Sequence, residues 1–202
     1  MEIRRIDEYS DERFSKKVLL QHGAYLIDDE PYEIEIVNND SAVVRGEDPD
    51  HFRELIEYFR FHAPHVVSFC DENRKLIKDY PHPDIVRIEI EKIQPSQFYI
   101  DEEKVKAVSS FINDEKDIVI QVMPWNGRYI CLDGHTRLYL AIQKNYLYVN
   151  AVLAESDDWV WKFVDEARKR NICKPSDMIL VSHEEYEIRW NQYCDDVFSD
   201  KE

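Results

Sequence analysis

Glycine is scarce. The four that exist in 202 residues, Gly23, Gly46, Gly127 and Gly134, lie too far apart for a dinucleotide fingerprint or a Walker-type phosphate loop. Positive charge is also in deficit: 26 Lys and Arg stand against 42 Asp and Glu, a net −16. That argues against direct DNA binding, because non-specific affinity for nucleic acid rests on basic side chains that neutralise phosphates. Cys70, Cys131, Cys173 and Cys194 form no CxxC pair, and residues 1–5 lack the apolar core of a signal peptide. A reduced, cytoplasmic protein is expected. No apolar run approaches the roughly 18 to 20 residues of a membrane span, so no membrane partner is expected either. What the chain does have is core-forming material, 44% apolar and 12% aromatic, which predicts a globular protein.

The acidity is uneven. Residues 1–84 hold 11 basic and 20 acidic side chains, residues 85–154 hold 8 and 9, and residues 155–202 hold 7 and 13. The nearly neutral middle third can accept an anion that the acidic flanks would repel. In the first segment, Ala24 to Ile27, Tyr32 to Val37 and Ala42 to Val44 are β-prone runs separated by turn residues, a small antiparallel meander. Asp48 and Pro49 predict the cap and first position of a helix carrying Phe52, Leu55, Ile56 and Phe59 at i, i+3, i+4 and i+7. Val66 to Cys70 and Leu76-Ile77 read as a hairpin. His51, His62, His65 and His82 have no ligand spacing, and no metal site is expected.

The middle segment alternates strand and helix. Ile85 to Ile93 reads as a half-buried strand, Asp101 as the cap of a helix bearing Val105, Val108 and Ile112, and Ile118 to Met123 as a strand covered on both faces. Asn126-Gly127 is a hairpin dipeptide returning the chain as Arg128 to Leu132. Tyr148 to Leu153 closes the unit. In the tail, Ser156 is expected to cap a helix with Val160, Phe163, Val164 and Ala167 on one face, and Arg168-Lys169-Arg170 suits that helix's negative end. Ser182 and Glu185 have capping-box spacing for a last helix with Tyr186, Trp190, Tyr193 and Val197. The fold class expected is α+β, with residues 1–84 an N-terminal α+β region, 85–154 a central domain and 155–202 a C-terminal helical extension.

Chemistry concentrates in Asp133-Gly134-His135-Thr136-Arg137, where a strand end and a glycine meet the first turn of a helix. Free amides of such a turn can hold an anion without a glycine-rich loop. Arg137 adds a planar cationic fork, Thr136 and His135 add donors, and Gly134 allows positive φ or close approach of a ligand. The same residues also fit a simpler reading, in which Asp133 caps the helix and Arg137 pairs with a neighbouring carboxylate.

Ile93-Gln94-Pro95-Ser96-Gln97, the helix from Asp101, the strand Ile118 to Met123 and above all Leu132 to Leu138 resemble the ParB/sulfiredoxin superfamily domain over about residues 85–154. The resemblance implies a mixed sheet with helices and a Gly-x-x-Arg, here Gly134 and Arg137, that grips nucleotide phosphates. Members include CTP-hydrolysing partition proteins, ATP-using sulfiredoxins and ADP-dependent free-serine kinases, whose Asp-Gly-His-His-Arg is similar to residues 133–137. By that resemblance the ligand is ATP, ADP or CTP with Mg2+, contacted by Gly134, His135, Thr136, Arg137, Ser96 and Gln97, with Asp133 and His135 as the catalytic pair. The chain departs from the pattern in two places. His135 stands where sulfiredoxins place their cysteine, and Gln97 stands where the serine kinases place a glutamate base, so neither reaction carries over directly. Cys131 reads as a packed side chain. Only 48 residues follow Ala154, and they are acidic, which speaks against an appended DNA-binding domain.

Two classes of function follow. One is a nucleotide hydrolase or small-molecule phosphotransferase in which Asp133 or His135 orients a water or hydroxyl. The other is a non-catalytic nucleotide-sensing or protein-interaction module whose acidic flanks contact a protein partner. An acetyltransferase-like fold ranks last, for want of a pyrophosphate cradle.

Overall fold

The computed structural model describes residues 2–38 and 40–199. Met1, residues 200–202 and Asn39, one of the turn residues between the second and third β-prone runs, lie outside the described residues. The chain is α+β and divides into two compact units, residues 1–83 and 84–202. No helix among the described residues is long and apolar enough to cross a membrane.

The first unit is a six-stranded sheet in the order β1 (Ile3–Arg5), β2 (Ala24–Ile27), β3 (Glu30–Ile36), β4 (Ser41–Gly46), β5 (Ser68–Asp71), β6 (Leu76–Asp79). The expected meander is β2 to β4, antiparallel throughout. The chain then crosses over through α2 (Phe52–Arg60) to lay β5 parallel to β4. Asp48 caps a short 3-10 turn, Pro49–His51, and α2 begins only at Phe52. Phe52, Leu55, Ile56 and Phe59 are buried with Tyr25, Ile27, Val44 and Phe69. The alternate β2 residues Ala24 and Leu26 pack instead with Val18 and Leu19 of α1 (Lys16–Leu20). Period-2 alternation with a helix on each face explains why all four β2 residues are buried.

The second unit holds a five-stranded mixed sheet in the order β7 (Ile85–Glu89), β12 (Tyr148–Leu153), β10 (Val119–Trp125), β11 (Arg128–Asp133), β8 (Ile93–Pro95). The expected strand 85–93 is broken by a 3-10 turn, Ile90–Lys92, where the Ile90 amide donates to the Leu147 carbonyl. Asn126 and Gly127 both have positive φ, 47° and 73°, the conformation an Asn-Gly hairpin turn requires. Asp101 caps α3 (Glu102–Ser109) by accepting from the Glu103 amide at 2.8 Å.

The segment beyond residue 154 is built into this same unit. Ala167 of α5 (Trp159–Lys169), Ile172, Met178, Val181 and Tyr186 are buried in one cluster with Ile93, Ile120 and Leu138. Strand β13 (Ile179–Val181) pairs in parallel with β9 (Tyr99–Asp101). Ser156 does not cap α5: its hydroxyl donates to the Asp157 carbonyl, and Asp158 stands at the cap position without a side-chain bond. Ser182 does cap the last helix, accepting from the Glu185 amide at 3.2 Å. That helix runs from α6 (His183–Tyr186) through a π-helical segment, Glu187–Asn191, into α7 (Gln192–Ser199).

Candidate functional site

The turn 133–137 is built by a register shift. Val122 pairs with Cys131 and Gln121 with Asp133, so Leu132 is the extra residue of a bulge at the end of β11, and the bulge re-aims Asp133 as the strand leaves the sheet. Gly134 follows at φ 91°, a conformation that only glycine adopts freely. A Cβ there would sit 2.8 Å from Ile120 Cγ2, 3.1 Å from Arg137 Nη2 and 3.2 Å from Nε. α4 (His135–Gln143) begins immediately, and its cap residue, Gly134, has no side chain to bond the first-turn amides, which face outward at the positive end of the helix.

Arg137 folds back over this start. Its Nη2 donates to Asp133 Oδ2 at 2.8 Å, with the arginine side chain 18% and the aspartate 39% exposed. Arg137 thus pairs with a neighbouring carboxylate, while Gly134 and not Asp133 stands at the cap position. The pairing still leaves a guanidinium lying against an uncapped helix N-terminus, and Thr136 half-buried on the same turn.

His135 is turned inward. Its Nε2 accepts from the Ser96 amide and the Gln97 amide, each at 3.2 Å, and lies 3.2 Å from the Ser96 hydroxyl oxygen, whose proton goes to the Cys131 carbonyl. Both the ring and Ser96 are 6% exposed. Burial pushes the imidazole down to about 4, while the nearby Asp133 charge pulls in the opposite direction. Two consecutive amides aimed at one acceptor form the concavity that usually receives an anion. Here a neutral imidazole fills it, so the ring positions the 96–97 turn and its lone pair is already committed. Ser96 Oγ also lies 2.8 Å from the Cys131 carbonyl. Gln97 Nε2 donates to the Tyr99 carbonyl at 2.7 Å and to the Tyr186 hydroxyl at 3.2 Å. Cys131 is fully buried, and burial raises its thiol well above the ordinary value, which makes it a poor nucleophile.

The structure therefore brings Asp133, Gly134, Thr136 and Arg137 together at one helix start and joins Ser96 and Gln97 to it through His135. Sequence reasoning missed the Leu132 bulge and the contact between Gln97 and Tyr186. Neither has a local signal, because each depends on pairing between distant segments. Among the described residues no three His, Cys, Asp or Glu side chains are grouped to hold a metal. An open depression of about 580 Å3 lies elsewhere, lined by Ser156, Asp157, Asp158, Trp159 and Lys162. It contains none of the site residues.

No family model and no curated protein matches the chain. Among solved structures, protein Atu1540 from Agrobacterium tumefaciens is similar at 16% identity and a TM-score of 0.35, over 48% of this chain. The match spans 62% of that protein's length.

Proposed function

We propose that residues 84–202 form a nucleotide-phosphate-binding unit of the ParB/sulfiredoxin kind, with phosphate held on the first turn of α4 and clamped by Arg137. The observation that carries this reading is the guanidinium laid against Gly134 at an uncapped helix start. Asp133 now occupies that fork at 2.8 Å, the place a phosphate oxygen would take. ATP, ADP or CTP would bring its own Mg2+ on the phosphates, and Asp133 would be the carboxylate at the helix start to share it.

A specific observation favours binding without turnover. His135 spends its acceptor on the 96–97 turn, which leaves Asp133 alone to orient a water or an acceptor hydroxyl. A nucleotide-sensing module, with acidic surface for a protein partner, needs no such group. A hydrolase or phosphotransferase needs Asp133 released from Arg137 when phosphate arrives.

Calorimetry of the full chain with CTP, ATP and ADP plus Mg2+ tests the reading. Binding of one of them that disappears in Arg137→Ala is the expected result, and equal binding by that variant would overturn it. Phosphate release that is lost in Asp133→Asn while binding persists would establish the enzyme over the module.

A further inference from the structure

Independently of the nucleotide reading, we propose that the pair His183 and Asp101 is a proton-operated latch fastening the last helix, residues 183–199, onto β9 and the start of α3. Asp101 is 0% exposed, and its two oxygens are divided between two elements. Oδ1 accepts from the Glu103 amide at 2.8 Å, and Oδ2 takes His183 Nδ1 at 2.7 Å. The carboxylate thus closes the first turn of α3 with one atom and holds the first residue of α6 with the other. A fully buried carboxylate is costly unless a cation and hydrogen bonds compensate it, and the cation that reaches this one is the His183 imidazolium.

The groups facing His183 make its charge depend on docking. Asp101 lies against it from the end of β9, Glu103 from α3, and Glu187 from one turn further along its own helix. The cation on that side, Lys104, lies over the Tyr186 ring at 4.8 Å. An imidazolium at a helix start also opposes the helix dipole, so away from Asp101 the ring has less reason to keep its proton. The hydrogen bond to Asp101 raises His183 above the ordinary 6.5. Its contribution is therefore complete below about 6.5 and is lost as pH climbs through the raised value. A neutral ring can keep the Nδ1–H bond but not the charge.

The helix has further attachments that do not involve this pair. Trp190 and Tyr193 pack on Phe98 with ring centroids 4.9 and 5.3 Å away, and Arg189 donates to the Tyr99 hydroxyl at 2.7 Å. Losing the proton therefore loosens the helix without detaching it.

Hydrogen exchange of the full chain, read peptide by peptide between about pH 5 and about pH 8 and corrected for intrinsic rates, tests the latch. The opening constant of residues 183–199 should rise roughly twofold to fivefold toward high pH, the range of a partly exposed ion pair, while the five-stranded sheet stays unchanged. His183→Asn keeps a donor at the Nδ1 position without a titrating charge, and it should flatten that dependence. A flat profile in the unmodified protein, an undiminished profile in His183→Asn, or an equal change in every element would each overturn the proposal.

Discussion

Gly134 and His135 are chain neighbours held by opposite constraints. Gly134 is fixed by what cannot be added to it: a Cβ would need φ 91° in a non-glycine residue and would approach Ile120 Cγ2 to 2.8 Å. Gly134→Ala should lose about 1–3 kcal/mol, read as a lower denaturation midpoint at constant slope. His135 is fixed by what it already holds. Because burial drops its imidazole from 6.5 to about 4, the unfolded chain binds its proton more tightly than the folded one. Stability from this residue is therefore complete above about 6.5 and drains away as pH falls toward 4, by about 3 kcal/mol in all. Urea titrations at stepped pH should show that acid loss, and His135→Asn should show less of it. The importance of these two residues was legible in the sequence, since a glycine before a polar first helical turn is a local pattern. The direction the imidazole faces was not, because its two amide donors come from Ser96 and Gln97, in a turn far back along the chain.

Among the elements, several with local signals formed as expected, although Ser156 does not cap α5. β12 occupies Tyr148–Leu153, the Asn126-Gly127 turn joins β10 to β11, and Asp101 and Ser182 cap their helices. The elements that differ are those decided by tertiary pairing. The 85–93 run breaks because its two halves pair at opposite edges of the sheet, β7 with β12 and β8 with β11, and the three-residue strands β9 and β13 are too short for alternation to reveal either. Pairing of β9 with β13 also makes the tail indispensable. A chain ending at Ala154 removes β13 and exposes Ile93, Ile120 and Leu138, which share a buried cluster with Ala167, Ile172, Met178, Val181 and Tyr186. Each large apolar side chain so uncovered costs about 1.5–3 kcal/mol. Residues 84–154 alone should therefore give a poorly dispersed NMR spectrum, whereas residues 84–202 should give a folded one.

At the scale of the whole chain, the acidity changes meaning once it is counted by compact unit. Residues 1–83 hold 11 basic and 19 acidic side chains, and residues 84–202 hold 15 and 23, so each unit carries −8. The near-neutral stretch around the α4 turn belongs to a unit as acidic as the other. Each unit has its own core, one centred on Tyr25, Ile34, Leu55 and Phe69, the other on Phe98, Ile120 and Leu138. Residues 2–83 and 84–202 made separately should each unfold cooperatively, with midpoints that match two transitions of the full chain. The parallel pairing of β9 with β13 also bears on how the second unit comes into being. Residues 99–101 leave the ribosome long before residues 179–181 exist, so β9 must wait, unpaired along that edge, while the β10 to β11 hairpin can already close through its two-residue turn. Completion of this unit is thus timed by its last fifty residues, and a pause in synthesis after α5 would prolong the interval in which that edge is open to a wrong partner.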